Sequence, residues 1–161
     1  MIRDDVEYMA EALRLAGQAA AEGDIPVGAI VVAPDGEVIG RGRNHRRIDH
    51  DPTAHAEVVA LREAAQTLGA WNLSGCSLYV TLEPCPMCAG ALLQSRIARL
   101  VYGCTDPKAG ACGTLYDLAH DSRLNHRIDV TRGVMELECR TTLQEFFLEC
   151  RRKRRAAKGK D

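Results

Sequence analysis

Two short clusters in the sequence carry residue types that can bind a metal ion and move protons. The first is His55-Ala56-Glu57, and the second is Pro84-Cys85-Pro86-Met87-Cys88. One imidazole and two thiolates suit Zn²⁺, and a site with three protein ligands leaves the fourth position to water. Zinc lowers the pKa of such a water towards about 7, and a nearby carboxylate can then transfer protons. We therefore predict a catalytic zinc site with His55, Cys85 and Cys88 as ligands and Glu57 as the general acid and base.

The spacing within each cluster agrees with this prediction. Cys85 and Cys88 are three residues apart, so one helical turn can point both at the same atom. His55 and Glu57 are two apart and diverge along a helix, which requires the metal to lie beyond the helix end. The 26 residues between Glu57 and Pro84 can form a helix, a loop and a strand. Such a path can return the second cluster to the first.

Hydrophobic periodicity and turn residues predict the elements that must position these clusters. Asp51 and Pro52 suit the N-cap and the first position of a helix that runs to about Leu68. The other predicted elements are a helix over residues 4–22, hairpin strands at 28–33 and 37–42, a strand at 77–82, a helix from 85–88 to about 95, a strand at 97–102, a glycine-rich loop at 103–113, a strand at 128–131 and a helix from about 136. Strands that alternate with helices indicate an α/β fold, with a mixed or parallel sheet covered by helices on both faces.

Composition limits the class of protein. The 161 residues, of which 46% are hydrophobic and 27% charged, suit one globular domain. No segment approaches the roughly 20 apolar residues of a membrane-spanning helix, and the first residues lack an apolar signal-peptide stretch. Seven cysteines without a secretion signal favour free thiols or metal ligands over a disulfide framework. We therefore expect a cytoplasmic protein with no membrane partner.

Basic residues are concentrated at the C-terminus. Residues 151–161 hold seven of the 21 basic residues and one of the 22 acidic ones, so this segment carries a charge of +6 and the preceding residues −7. A basic end on an acidic body indicates a polyanionic partner, although a solvated terminus without a function has the same composition. We predict one zinc-dependent domain over residues 1–152 and a flexible basic tail over residues 153–161.

The zinc pattern and its surroundings resemble the bacterial tRNA-specific adenosine deaminases, which belong to the cytidine deaminase-like zinc enzymes. A His-x-Glu segment followed by Pro-Cys-x-x-Cys marks the zinc nucleobase deaminases. The block Asn125-His126-Arg127 and the Phe146-Phe147 helix with its basic end are similar to the tRNA branch. The resemblance extends from about residue 4 to residue 152 and includes residues 26–29, 44, 51–57, 79–85, 87–91, 95–97 and 106.

This resemblance implies a fold, a reaction and a partner. The fold would be the cytidine deaminase-like three-layer α/β/α arrangement with a mixed five-stranded sheet. The reaction would be hydrolytic deamination of the wobble adenosine (position 34) of a tRNA to inosine, with an arginine tRNA bearing an ACG anticodon as the expected substrate. Zinc, one ion per subunit of a homodimer, would activate the water that attacks C6 of adenine, and Glu57 would transfer the protons.

The resemblance also implies contacts with the anticodon stem-loop. Asn44 would contact the flipped nucleotide, and Val27 would line the base pocket. Asp106 would touch the ribose or the RNA backbone, with Lys108 nearby.

The end of the chain would supply a second group of RNA contacts. Phe147 would stack on an unpaired base while Phe146 packs in the core, because single-stranded RNA is often bound by stacking on aromatic side chains. Arg151 and Arg152 would neutralise phosphates, and binding would then weaken as salt rises.

Three other functions stay open from the residues alone. A deaminase of a free base or nucleotide, of guanine or cytosine type, would use the same zinc and Glu57 without a basic tail. A non-catalytic zinc-containing RNA-binding module would fill the fourth metal position with Cys76, Cys104 or Cys112. A thiol oxidoreductase with the Cys85–Cys88 pair would leave His55 and Glu57 unexplained.

Overall fold

The computed structural model describes residues 2–159, which form five α-helices, five β-strands and a short 3₁₀ turn at Leu118–His120. The helices are α1 (Asp5–Ala21), α2 (Arg46–Asp49), α3 (Ala56–Leu68), α4 (Pro86–Gln94) and α5 (Glu136–Lys158). The strands are β1 (Gly28–Val32), β2 (Val38–Arg43), β3 (Ser77–Leu82), β4 (Arg99–Cys104) and β5 (Asp129–Arg132). No helix between residues 2 and 159 combines the length and the apolar character that a membrane crossing needs.

The five strands form one mixed sheet in the order β2-β1-β3-β4-β5. β1 is antiparallel to both of its neighbours, whereas β3, β4 and β5 run parallel to one another. α1 and α5 pack on one face of the sheet, and α3 and α4 pack on the other. The predicted α/β fold, with a mixed five-stranded sheet between two helical layers, is therefore confirmed.

The apolar run of β1 shows why the sheet is covered on both faces. All five residues of this strand are buried, and successive side chains of a strand point to opposite faces. Ala29 and Val31 pack with the α3 side, while Ile30 and Val32 pack with the α1 side. A strand without polar alternation is typical of a sheet that is buried on both sides.

Two glycines of β2 allow α3 to pack closely against the edge of the sheet. A Cβ atom at Gly42 would overlap the carbonyl oxygen of Ala56, and one at Gly40 would overlap that of Ala60. Register places Gly42 opposite Ala29 of β1, and Ala29 in turn opposite Val80 of β3. The N-terminus of α3 therefore lies at the end of the sheet where β3 has its C-terminus.

The start of α3 was predicted wrongly. The helix begins at Ala56 and not at Asp51-Pro52, because the Asp51 side chain accepts hydrogen bonds from the amide (2.8 Å) and hydroxyl (2.7 Å) of Thr53 and so forms a turn. His55 has extended backbone angles (φ −75°, ψ 152°) and is the N-cap residue. The amide of Ala56 is capped by the side chain of Asn44 (3.0 Å), which a local sequence pattern could not indicate.

The last helix runs into the basic segment, as the sequence predicts. α5 continues through Lys158, so residues 153–158 of the predicted tail are helical, and their flexibility stays a prediction. Arginine, lysine and alanine are good helix formers, which accounts for the extension although its residues are exposed. Residues 160 and 161 of the predicted tail lie outside the described residues.

Candidate active site

The three predicted metal ligands lie together at the N-termini of two helices. His55 is the N-cap residue of α3 and Cys85 that of α4, while Cys88 is fully buried in the first turn of α4. The His55 Nδ1 atom is 3.7 Å from the Cys85 Sγ atom and 3.5 Å from the Cys88 Sγ atom. Two segments that are 30 residues apart in the chain thus present one nitrogen and two sulfur atoms to a single point.

This donor set fits zinc. A tetrahedral ion with Zn–N near 2.0 Å and Zn–S near 2.3 Å separates the nitrogen and sulfur ligands by about 3.6 Å, as the two distances above do. Within residues 2–159, no fourth histidine, cysteine, aspartate or glutamate joins the cluster. Cys76, Cys104 and Cys112 are buried outside it, which argues against a metal position closed by a third thiolate.

The ionisation of the cluster favours metal binding as well. A hydrogen bond with Cys88, together with the hydrogen bond and charge of the neighbouring His55, lowers the pKa of Cys85 to about 4. The same hydrogen bond and burial raise the pKa of Cys88 far above its usual value, so the two sulfurs share one proton. Zinc binding displaces such a proton, because thiolates are the ligands.

Glu57 is buried next to this cluster. It is the second residue of α3, and its side chain is only 4% exposed. Burial raises the pKa of Glu57 above its ordinary value, as is common for carboxyl groups that transfer protons in enzymes. Glu57 does not belong to the ligand cluster, which is the arrangement that a general acid and base requires.

A cleft of about 280 Å³ opens onto these groups. Three residues predicted to bind substrate, Val27, Asn44 and Asp106, line it together with His55 and Glu57. The complete lining consists of Ile25, Val27, Asn44, Arg46, His55, Glu57, Leu82, Glu83, Cys85, Asp106 and Ala109. The cleft therefore combines four apolar side chains with seven polar or ionisable ones, so it can hold a ring and also bind its polar groups.

The structure gives Asn44 a role that the sequence did not indicate, beside its predicted contact with substrate. Its Oδ1 atom accepts the Ala56 amide (3.0 Å), so the side chain helps to fix the start of the helix that carries Glu57. Its Nδ2 group makes no hydrogen bond within residues 2–159 and is free to donate to a ligand in the cleft.

Glu83 organises the loop that forms one wall of the cleft, and sequence reasoning assigned it no role. Its carboxylate is 2% exposed and accepts hydrogen bonds from the amides of Asp106, Cys112 and Thr114, each at 3.1 Å, and from the Thr114 hydroxyl. A Cβ atom at Gly110 would overlap this carboxylate, so the loop needs glycine at that position. The only signal in the sequence is a charged residue between an apolar strand and Pro84.

Replacing Glu83 by glutamine is expected to lower the free energy of unfolding by about 2 kcal/mol. The substitution keeps the shape but turns one acceptor oxygen into a donor that faces backbone N–H groups, and a buried hydrogen bond to a charged group is worth about 1.5–3 kcal/mol. Urea unfolding of the zinc-loaded protein measures the change. Exposed Glu37→Gln serves as the control, and equal midpoints for both variants would contradict the assigned role of Glu83.

The remaining predicted RNA contacts lie along α5. Lys108, Phe147 and Arg151 line one open groove of about 620 Å³, together with Arg154. Phe147 is 43% exposed, whereas Phe146 is half-buried and packs edge-to-face against it. Arg152 lies outside this groove and forms an ion pair with Glu149 (2.6 Å). The groove groups three of these side chains, and their contact with RNA stays a prediction.

Comparison with known proteins finds similarity over almost the whole chain. The family model of the cytidine and deoxycytidylate deaminase zinc-binding region matches residues 2–104. The tRNA-specific adenosine deaminase of Bacillus subtilis is 46% identical over 158 residues, which cover 98% of this chain and 97% of that protein. Both the motif-bearing half and the α5 half of the chain are therefore included in the match.

Solved structures of deaminases are also similar to this chain. A structure from studies of A-to-I editing by tRNA:A34 deaminases at the wobble position is 42% identical, with a TM-score of 0.82, over 85% of this chain and 99% of that one. The guanine deaminase of Bacillus subtilis is 40% identical, with a TM-score of 0.61, over 64% of this chain and 66% of that one.

Proposed function

The chain belongs to the cytidine and deoxycytidylate deaminase family, and we propose that it catalyses the zinc-dependent hydrolytic deamination of the wobble adenosine of a tRNA to inosine. The observation that carries this proposal is the buried Glu57 beside the cluster of His55, Cys85 and Cys88, in a cleft of base-binding size. The near full-length similarity to a tRNA-specific adenosine deaminase supports a tRNA as the substrate. With such a substrate, we propose that the reaction takes place in the cytoplasm.

His55, Cys85 and Cys88 would hold the zinc ion, which when bound supplies the activation of water that the hydrolysis requires. Glu57 would accept a proton from the attacking water and donate it to N1 of the adenine ring. It would next transfer the second proton to the exocyclic N6 atom, so that this nitrogen leaves as ammonia. Water plus adenosine then balances inosine plus ammonia, and Glu57 returns to its starting state.

Asn44 and Val27 would bind the target base. The Nδ2 group of Asn44 can donate a hydrogen bond, and the side chain of Val27 offers an apolar surface to the ring. Asp106, which Glu83 holds through its backbone amide, would accept a hydrogen bond from a ribose hydroxyl. A contact of that kind distinguishes RNA from DNA.

The proposal is tested by incubating the zinc-loaded protein with an ACG anticodon stem-loop RNA and measuring inosine by nucleoside analysis. We expect inosine in the stem-loop and no conversion of free adenosine. Free guanine and cytosine nucleotides are included, because one of the similar structures is a guanine deaminase. Conversion of a free base, without conversion of the RNA, would replace the proposed substrate by a small molecule.

We expect the groove beside α5 to bind phosphates of the stem-loop. Replacing both Arg151 and Arg154 by alanine should raise the KM for the RNA about tenfold, because two phosphate contacts are removed. The slope of log affinity against log salt concentration should fall by about 1–2, since each phosphate contact contributes roughly 0.7–0.9. Steady-state kinetics and binding titrations at several salt concentrations measure both effects.

The matched control for this pair lies at the other end of the same helix. Arg140 is half-exposed and pairs with Glu136, outside the groove. Arg140→Ala removes the same type of charge from α5 and should leave the KM and the salt slope nearly unchanged. An equal rise in the KM and an equal fall in the salt slope for Arg140→Ala would mean that only the net charge of α5 matters and that the groove is not a binding site.

A homodimer is part of this proposal. α3 and α4 present a shallow apolar depression that includes Val58, Leu61 and Ala91, and Trp71 at its edge is 67% exposed. Exposed apolar patches of this kind mark interaction surfaces. Light scattering after size-exclusion chromatography should give twice the chain mass, and Trp71→Glu should shift the protein towards the monomer. A monomeric wild type at micromolar concentration would refute the dimer.

A further inference from the structure

Arg46 is the one arginine or lysine among the described residues that line the cleft. It begins the short helix α2, two residues after Asn44, and its side chain is 37% exposed. The ionisable groups that share the cleft with it include three carboxylates, those of Glu57, Glu83 and Asp106. These acidic groups already have roles within the protein, so they do not explain why a single guanidinium lies in the cleft.

The hydrogen-bonding capacity of Arg46 is unused within residues 2–159. Its Nε atom is buried and has no hydrogen-bond partner. The Nη2 atom lies 3.7 Å from Asp24 Oδ1, which is close enough for charge attraction but too long for a hydrogen bond. Arg43 and Arg99, by contrast, each donate two hydrogen bonds to a carboxylate. A partly buried guanidinium without such bonds is suited to an anion that offers two oxygens to its fork of N–H groups.

The backbone beside Arg46 is fixed, so its side chain is presented from a rigid base. Asp24 is 3% exposed and accepts hydrogen bonds from the amides of Ile25 (2.8 Å) and Arg47 (3.2 Å). These bonds join the start of α2 to the segment that leads into β1. Arg46 therefore extends along the cleft wall from a position that substrate binding need not rearrange.

We propose that Arg46 binds a phosphate that adjoins the adenosine in the cleft, and that this contact makes the enzyme select a polynucleotide over free adenosine. The inference rests on the proposed function, since a free base carries no phosphate. In an RNA the phosphate is the only group with a formal negative charge, and it offers the two oxygens that a guanidinium fork binds. The base and the ribose are neutral and match the amide and carboxylate groups of the cleft instead.

Arg46→Met removes the charge and keeps most of the apolar stem. We expect the KM for the anticodon stem-loop to rise about tenfold to a hundredfold, with kcat and zinc content within about threefold of wild type. Arg46→Lys keeps the charge without the planar fork and should give an intermediate KM. Circular dichroism and bound zinc establish that both variants are folded, and a variant that fails this check is replaced by the other.

Stem-loops with one neutral methylphosphonate linkage, placed 5′ or 3′ of the target adenosine, identify the contact. In wild type, one of the two linkages should weaken binding as much as Arg46→Met does, and in Arg46→Met that linkage should have no further effect. Arg47→Met is the matched control, because Arg47 is exposed, adjacent in sequence and outside the cleft. It should leave the KM unchanged.

Three results would overturn the inference: an unchanged KM in Arg46→Met, an equal effect in Arg47→Met, or additive effects of Arg46→Met and both linkages. The comparison of Arg46→Met with the two methylphosphonate linkages is repeated by fluorescence-anisotropy titration. These titrations use the labelled stem-loop and zinc-loaded protein that carries Glu57→Gln, so they require no turnover. Absence of inosine with the wild type refutes the proposed function alone. If the effects of Arg46→Met and of each linkage on binding are additive in these titrations, only the role of Arg46 is refuted.

Discussion

Glu57→Gln is expected to reduce kcat for stem-loop deamination by roughly 10³-fold or more, with the bound zinc unchanged. A positioned proton-transfer group contributes about 10²–10⁴ in rate, and in the proposed mechanism Glu57 would serve two successive transfers, to N1 and to N6. Glutamine has the same shape and can neither accept nor release the proton. Because Glu57 is outside the ligand cluster, the metal should stay. Single-turnover inosine formation and metal analysis of the same samples measure both quantities.

A glutamate on the same helix provides the control for this substitution. Glu63 is exposed and accepts a hydrogen bond from the Arg41 amide (2.8 Å), away from the cleft. Glu63→Gln should deaminate the RNA within about twofold of wild type. If Glu57→Gln kept more than about a tenth of the wild-type rate, another group would be transferring the protons and the assignment of Glu57 would be wrong.

Cys88→Ala is the second substitution with a large expected effect: it should abolish both zinc binding and deamination. Three protein ligands would hold the ion, and removal of one would leave two, which is fewer than catalytic zinc sites use. Metal analysis should find less than roughly a tenth of an equivalent of zinc per chain, and activity should fall below detection. Chelation should inactivate the wild type in the same way, and added zinc should restore it.

Cobalt substitution adds a readout that is independent of activity. The intensity of the thiolate-to-cobalt absorption reports the number of sulfur ligands, and two are expected in the wild type and one in Cys88→Ala if any metal binds. Cys76→Ala is the control, since Cys76 is equally buried but lies outside the cluster. Three sulfur ligands in the wild type, or full zinc in Cys88→Ala, would contradict the assigned ligand set.

The zinc cluster was predictable from sequence because its chemistry is local. The residue types in His55-Ala56-Glu57 and in the Cys85–Cys88 pair specify soft metal ligands beside a carboxylate, and both clusters begin or precede helices. The alternation of strands and helices was sufficient for an α/β fold with a mixed or parallel sheet, and the family resemblance supplied the mixed five-stranded arrangement. In both cases the pattern lies within a short stretch of sequence, so hydrophobic periodicity predicts the elements and residue spacing predicts the metal ligands.

Features that depend on distant partners were not predictable in this way. Asn44 caps a helix that starts twelve residues later, and for this reason the start of α3 was placed too early. Glu83 acts on amides 23–31 residues further along the chain. The unused guanidinium of Arg46 became evident only when its neighbours were known. Such roles depend on what the fold brings near a side chain, and sequence spacing does not encode that directly.

The hydrogen bonds of Glu83 have a consequence for which adenosines can react. Since a buried carboxylate fixes the loop at residues 106–114 in the folded protein, the conformational entropy of this loop is lost during folding and not again when RNA binds. The energetic cost of extruding a base then falls on the RNA. A helical stem must break pairing and stacking, whereas an anticodon loop gives up little. Paired adenosines therefore react poorly because extruding them costs more free energy, and this selection requires no contact that recognises sequence.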